Sequence, residues 1–279
     1  MRLMMSAIRR ARFLVLAGVV SGLAFSPTVT KAQQIEVDKF ELFFHPATGQ
    51  SGESFTVRNL SDRVQTAQLT VKDWYREEDG ANQFVDAGTT KGTCHPHIKI
   101  FPATIRVAPG ASQSVSVTYD GGPVTTSCWS AVQVETAPQP ASDARGAQLL
   151  VNIRVTVKVY VEPANARPAL EVAELDVVKH VPEVGKSPAD TVGNDVMARV
   201  TNPGTIQARV KGRVEYRTLM DSVVRRAAID EFPVLPGASR RVRSRLPQLP
   251  VGRYIVLVFF DYGGAEILAS QLELDLTKG

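Results

Sequence analysis

The sequence has 279 residues, of which 44% are hydrophobic and 22% are charged, and its formal net charge is +4. Five of the 32 basic residues but none of the 28 acidic ones lie within residues 1–32, so the other 247 residues carry 27 basic groups against 28 acidic ones. This balance excludes the strongly basic surface that nucleic-acid binding requires, and the remaining length suits two domains better than one.

Residues 1–32 have the order of a secretory signal peptide. Basic residues, among them Arg9 and Arg10, precede an apolar run at 13–25, and a polar stretch ends at Ala32. Such an apolar run is too short to span a bilayer comfortably. We therefore expect cleavage after Ala32, export to the periplasm as a soluble protein, and no integral membrane segment after cleavage.

Beyond residue 32, apolar and polar residues alternate with the period of two that is typical of half-buried β-strands. Turn-forming residues recur about every ten residues, as in antiparallel sandwiches. In the first half, strands are predicted near 35–44, 53–60, 65–75, 97–107, 112–119, 127–136 and 148–161. In the second half, they are predicted near 169–177, 195–202, 205–217, 223–229, 239–246, 252–261 and 265–276. Two segments, 76–93 and 138–146, are predicted to be loops.

A short repeat supports a division into two similar units. The motif at 107–112, Val-Ala-Pro-Gly-Ala-Ser, returns at 234–239 as Val-Leu-Pro-Gly-Ala-Ser, and a predicted strand follows each copy. Two copies of one all-β unit explain this repeat. The predicted organisation is a signal peptide at 1–32, an N-terminal immunoglobulin-like domain at 33–162, a proline-bounded linker at 163–168, and a C-terminal immunoglobulin-like domain at 169–279.

The two cysteines of the chain, Cys94 and Cys128, lie near His95 and His97, which suggests either a disulfide or a metal site. Strand parity favours the disulfide, because Cys94 faces the side of the strand opposite to both imidazoles. Cys128 likewise shares a face with apolar residues of its strand. Two core-facing cysteines in an exported protein predict a Cys94–Cys128 disulfide and no metal.

Segment 149–161 has an apolar residue at every odd position and is followed by Pro163. These residues lie on one face if the segment is a single strand. At about 3.3 Å per residue it would extend about 40 Å, roughly twice the usual strand length. A strand this long has an apolar edge to offer to a partner.

A signal peptide, two sandwiches, and a loop that leads into a long alternating strand ending at a proline together resemble the PapD-like periplasmic chaperones of pilus assembly. In that family the last strand of the first domain inserts alternating apolar residues into a pilin subunit that lacks one strand. The resemblance assigns this donor role to Leu149, Val151 and Ile153. It assigns to Lys158, in Lys-Val-Tyr-Val-Glu-Pro, the binding of the subunit's C-terminal carboxylate.

The same resemblance implies an ion pair between the domains. Arg106 matches an arginine in the family's Pro-x-x-x-Arg-x-x-Pro-Gly segment, and Asp261 begins an Asp-Tyr-Gly-Gly motif one strand before the C-terminus. Two residues depart from the family pattern. Glu41 occupies the position of the second carboxylate-binding arginine, so Lys39 is the alternative candidate if the register slips by two residues. Glu162 replaces an arginine of the interdomain network.

The resemblance implies a periplasmic chaperone-like protein that binds an exported pilin-like or surface-fibre subunit by edge-strand donation, with an outer-membrane usher as a further candidate partner. No nucleophile elbow, phosphate loop or paired-carboxylate motif is present, so neither an enzyme nor a cofactor is expected. The alternative is a structural or adhesion module of the cell envelope without chaperone activity.

Overall fold

The computed structural model describes residues 35–142, 147–181 and 193–277, and the predicted signal peptide lies outside them. These residues form strands, turns and one short 3-10 helix at Pro46–Thr48. None of their helices has the length and apolar character that a membrane crossing requires. The contacts group Gln33–Gly279 into one compact unit.

Two groups of strands follow one another along the chain. The first group is β1 (Ile35–Val37), β2 (Glu41–Phe44), β3 (Gly52–Asn59), β4 (Gln65–Arg76), β5 (Asn82–Asp86), β6 (Ile98–Phe101), β7 (Thr104–Val107), β8 (Ser112–Tyr119), β9 (Cys128–Thr136), β10 (Gln139–Ser142), β11 (Gln148–Val151) and β12 (Arg154–Val161). The second group is β13 (Glu171–Lys179), β14 (Asn194–Thr201), β15 (Ala208–Thr218), β16 (Val223–Val234), β17 (Ser239–Arg245), β18 (Arg253–Asp261) and β19 (Leu268–Asp275).

Each group forms a sandwich. In the first, a sheet of order β1-β3-β8-β6 faces a sheet of order β2-β12-β9-β4-β5, with β7 also on β4, while β10 and β11 pair in a small extension. In the second, the orders are β13-β14-β17 and β16-β15-β18-β19. Alternating side chains from facing sheets fill one apolar core in each sandwich, as expected for packed antiparallel sheets. The prediction of an all-β fold with two immunoglobulin-like sandwiches is confirmed.

The described strands of one sandwich pair only with strands of the same sandwich, and the connection between them contains Pro163 and Pro168. A smaller cluster, Trp74, Trp129, Ala131, Tyr160 and Leu235, joins residues of both. The proposed boundaries at 33–162, 163–168 and 169–279 stay a prediction, because the contacts treat this part of the chain as one unit.

Three predicted strands in the first half are divided in the structure, and the one at 148–161 is described with the candidate site. The strand predicted at 35–44 is β1, which pairs with β3, and β2, which pairs with β12. The strand predicted at 97–107 is β6, which pairs with β8, and β7, which pairs with β4. In both cases the chain passes from one sheet to the other at the edge of the sandwich. A ladder has to be interrupted at such a crossing, and Pro102, which has no N–H to donate, lies at the second.

The predicted disulfide is confirmed. Cys94 and Cys128 are bonded, with a Cα–Cα distance of 5.1 Å. Both pack with the first core, as strand parity indicated, and Cys94 is only 2% exposed. The bond fixes the segment before β6 to the start of β9.

The same segment is also held by a buried carboxylate. Asp73, which is fully buried, accepts hydrogen bonds from the backbone N–H groups of Thr89 and Thr90, each at 2.9 Å, and from the hydroxyl of Thr93 at 2.5 Å. A buried carboxylate needs such donors to offset its lost hydration. The loop is therefore attached to β4 as well as to β9.

Candidate functional site

The first component of the candidate site is an open strand edge. β12 pairs with β9 along its whole length, but its other side pairs with β2 only over Lys158–Val161. Upstream, β11 pairs on one side with β10. Among the described residues, no strand covers the other side of β11 or of residues 154–157. We call this uncovered side, from residue 149 to residue 157, the open edge.

The prediction of one continuous strand at 149–161 is wrong, because Asn152 and Ile153 interrupt it. The Asn152 amide donates to Glu135 Oε1 at 2.6 Å, and the Ile153 N–H donates to the Thr136 hydroxyl at 2.8 Å. These side-chain bonds replace part of the ladder with β9 while keeping the chain beside it. The open edge therefore has two straight parts joined by a short break.

The predicted donor residues have different environments. Leu149 and Val151 are 49% and 43% exposed, although large apolar side chains are usually buried. Ile153 is partly buried against the first core. The structure thus leaves Leu149 and Val151 available to a partner, whereas Ile153 already contributes to the protein's own packing.

The second component is an aromatic cluster on the outer face of the β2-β12-β9-β4-β5 sheet. The Phe43 and Tyr160 rings stack with centroids 5.0 Å apart, and Trp74 meets Tyr160 edge to face at 6.0 Å. Phe84 lies 6.4 Å from Trp74. These geometries are the ones that aromatic pairs prefer. They give a rigid platform beside the downstream end of the open edge.

Two cations lie on this platform. Lys158 Nζ is 4.7 Å from the centroid of the Trp74 ring, and the Arg76 guanidinium carbon is 5.5 Å from it. Both distances are within the range of cation–π contacts. Burial, and secondly the nearby Arg76 charge, lowers the pKa of Lys158, and burial also lowers that of Arg76. Two partly desolvated cations at one place favour the binding of an anion.

Glu41 is directly opposite Lys158 in the parallel pair of β2 and β12. The register inferred from the sequence is therefore the register of the structure, and an acid does occupy this position. Glu41 forms an ion pair with Arg209 of β15 and accepts a hydrogen bond from the Tyr160 hydroxyl at 3.4 Å. Because Arg209 balances the charge of Glu41, the positive charge of Lys158 and Arg76 remains available.

Lys39, the alternative anchor, lies elsewhere. Its Nζ is 2.5 Å from Glu53 Oε1 and 3.0 Å from the carbonyl oxygen of Ser54, both on β3. The hydrogen bond to Glu53 raises the pKa of Lys39. The register slip that would bring Lys39 beside Lys158 does not occur, so the structure corrects this expectation.

The structure also corrects the predicted pair of Arg106 and Asp261. Arg106 is opposite Thr66 near the start of β4, whereas Arg76 at the end of β4 donates to the carbonyl oxygen of Pro233 in the second sandwich. Ten strand residues separate these two positions of β4, or roughly 33 Å. Asp261 instead accepts the Gly263 N–H at 3.1 Å within its own turn.

We expect Arg106→Ala and Asp261→Ala to change stability additively, because the two side chains do not interact. Urea unfolding of both single variants and the double variant measures this. A coupling energy above about 0.5 kcal/mol would contradict the placement of Arg106 far from the second sandwich.

Other residues connect the sandwiches. Arg241 binds Glu78 Oε2 at 2.6 Å, and the Ser127 N–H donates to the carbonyl oxygen of Thr205 at 2.8 Å. Glu162 lies 3.9 Å from the His45 ring, and burial raises the pKa of Glu162. The first two contacts thus join the sandwiches through residues that the sequence analysis did not select, whereas Glu162, which it named, lies beside His45 of its own sandwich.

Sequence reasoning missed Arg76 and the aromatic platform. The signal was present in β4, where Lys72, Trp74 and Arg76 are two residues apart and therefore share one face of the strand. A period of two shows that Trp74 and Arg76 are neighbours on this face. It does not show that β4 and β12 are separated only by β9, which brings Arg76 near Lys158.

Comparisons with known proteins support the fold. No family model matches the sequence, and no curated protein matches it. Among solved structures, the chain is similar to the class 5 fimbriae chaperone CfaA, with 16% identity, a TM-score of 0.50, and coverage of 85% of this chain and 98% of that one. It is also similar to a chain from a chaperone–tip adhesin complex of CFA/I fimbriae biogenesis, with 14% identity, a TM-score of 0.50, and coverage of 86% and 98%. The chain therefore has the fold of these fimbrial chaperones, as predicted.

Proposed function

We propose that this protein is a periplasmic chaperone that holds an exported fibre subunit by adding the open edge to it as a strand. The observation that carries the proposal is an edge that no strand in the described part of the chain covers over residues 149–157, and that β2 covers from Lys158 onward. Strand addition binds through backbone hydrogen bonds and uses alternate side chains for specificity. In this function the protein needs neither a catalytic residue nor a cofactor.

The exposed apolar side chains of the open edge are suited to strand addition. Leu149 and Val151 are on the same face of β11, two residues apart, and each leaves more than two fifths of its surface in solvent. Burial of this exposed part in a partner would contribute about half of the 1.5–3 kcal/mol that full burial of such a side chain contributes. A client that lacks one strand of its own sandwich offers the apolar groove that these residues require.

The end of the open edge next to Lys158 is suited to binding the C-terminal carboxylate of a client chain. A cavity of about 480 Å³ adjoins Lys158 and is lined by Phe40, Glu41, Asn82, Phe84, Thr156 and Lys158. Lys158 and Arg76 lie on Trp74 beside this cavity, and a carboxylate placed there would receive charge-assisted hydrogen bonds. In this proposal Arg76 supplies the second cation in place of the arginine that Glu41 replaces.

Lys158→Met and Arg76→Met should each weaken client binding by about 1.5–3 kcal/mol, because each removes one charged hydrogen bond to the client carboxylate. The affinity of the purified client for each variant measures this loss. Lys72→Met is the matched control, since Lys72 is on the same sheet but binds Asp86 at 2.8 Å. Equal affinities for the variants and the control would show that these two cations do not anchor the client.

The proposal is tested by isolating the tagged protein from the periplasm of the cells that produce it and identifying co-purified proteins by mass spectrometry. Amide hydrogen exchange is then compared between the free protein and the complex. We expect new protection at residues 149–157. Capture without protection there would place the client on another surface, and the absence of any captured fibre subunit would favour a structural or adhesion module of the envelope.

A further inference from the structure

A second site lies away from the open edge, where the two sandwiches meet. Here a cavity of about 720 Å³ opens between the ends of β4 and β9 on one side and the β14–β15 and β16–β17 turns on the other. This volume is within the range of about 300–1,000 Å³ of small-molecule sites. We call it the junction cavity.

The walls of the junction cavity are mainly aromatic and apolar. Trp74 and Trp129 line it from the first sandwich, and Pro203, Pro236 and Ala238 line it from the second. Trp74 Nε1 donates to the carbonyl oxygen of Ser130, and Trp129 Nε1 donates to that of Trp74. The indole N–H groups are therefore already used. Trp74 is fully buried and Trp129 is 9% exposed, so a ligand in the cavity meets the apolar ring surface of Trp129.

Three other polar side-chain groups that line the junction cavity form no hydrogen bond within the described part of the chain. Ser127 is 6% exposed, and its hydroxyl has no hydrogen-bond partner among the described residues. The exposed side chains of Lys91 and Thr126 have no hydrogen bond or ion pair within the part of the chain that is described. A buried hydroxyl without a partner is costly, and a ligand that reaches it removes this cost.

We propose that the junction cavity binds a small planar aromatic anion. The aromatic part would pack against the tryptophan and proline walls, the anionic group would bind Lys91, and a polar atom would bond the Ser127 hydroxyl. A neutral apolar molecule leaves Lys91 unpaired, and a small inorganic anion leaves the apolar walls hydrated. The combination of groups therefore selects molecules that carry both parts.

Because both sandwiches supply walls, a bound molecule would join them. Ser127 and Trp129 come from the first sandwich, whereas Gly204 and Gly237 come from turns of the second. Trp74 also carries Lys158 and Arg76 beside the end of the open edge, so the two sites share this one residue, and variants confined to the cavity are needed to distinguish them.

The test uses two fluorescent probes with the same ring system. 8-Anilinonaphthalene-1-sulfonate is an aromatic anion, and N-phenyl-1-naphthylamine is its neutral counterpart. The chain has two tryptophans, and both line the junction cavity. Quenching of tryptophan emission during titration therefore reports binding near one of these residues. Because Trp74 also lies under Lys158 and Arg76, the loss of quenching in cavity variants is what places the probe in the junction cavity. We expect one site for the anionic probe and weaker binding of the neutral probe.

Lys91→Met should weaken binding of the anionic probe about tenfold and leave binding of the neutral probe unchanged. Thr126→Phe should fill the cavity and abolish quenching by both probes. Lys99→Met is the control, since Lys99 is an exposed lysine near Asp120 and should bind as the wild type does. An unchanged affinity of the anionic probe for Lys91→Met, or quenching that persists in Thr126→Phe, would overturn the proposal. Circular dichroism of each variant verifies that it is folded.

Discussion

Replacing Val151 with Asp should abolish client capture while leaving the free protein folded. Val151 is 43% exposed in the structure, so the new carboxylate stays hydrated until a client covers it. Burying an unpaired carboxylate in the client's groove costs several kcal/mol, and about 4 kcal/mol corresponds to a thousandfold loss of affinity. The measurement is the yield of co-purified client, together with thermal unfolding of the free variant.

Leu150→Asp is the matched control for this change. Leu150 is the next residue of β11 and is 75% exposed, so the same charge is placed on the opposite face of the same strand. It should capture the client nearly normally. Ile153→Asp is unsuitable, because Ile153 packs against the first core. If Val151→Asp still captured the client, donation of this strand would be wrong.

Removing the disulfide should lower the free energy of unfolding by about 3–4 kcal/mol, as expected for a loop of this length. The Cys94→Ala and Cys128→Ala double variant tests this by urea unfolding, because the two residues close a segment with a sequence separation of 34. Wild-type protein unfolded in the presence of a reductant should match the double variant. The oxidised wild type should show no free thiol by mass after alkylation.

An unchanged midpoint in the double variant would mean that the bond contributes nothing to stability. In that case Asp73, which binds the same loop through Thr89, Thr90 and Thr93, would be sufficient to hold it.

The strands were predictable wherever one face of a single sheet is buried. β8 and β9 lie where alternation placed them, because each stays in one sheet for its whole length. Alternation does not show where a strand changes sheets, and for this reason β1 and β2, or β6 and β7, looked like single strands. The loop predicted at 76–93 contains β5, whose exposed edge position needs little apolar character.

The site was predictable in part. The family resemblance placed Glu41 beside Lys158, and the structure has this register, whereas the role of Lys158 stays a prediction. The sequence did not reveal that Arg209 is the partner of Glu41, because Arg209 belongs to the other sandwich. No local pattern specifies which surfaces of the two sandwiches meet. The expected contact of Arg106 with Asp261 failed for the same reason, whereas the disulfide followed from strand parity and from export.

The partial cover that β2 gives to β12 determines which part of a polypeptide can bind. The Lys158 N–H donates to the carbonyl oxygen of Phe40 at 2.8 Å, so β2 already uses the backbone positions from this residue onward. A segment added to the open edge parallel to β12 must stop beside Val157, because a longer one would collide with β2. Under the proposed function, such a segment ends or turns away from the sheet beside Val157, which places the last paired residue of the client next to Lys158.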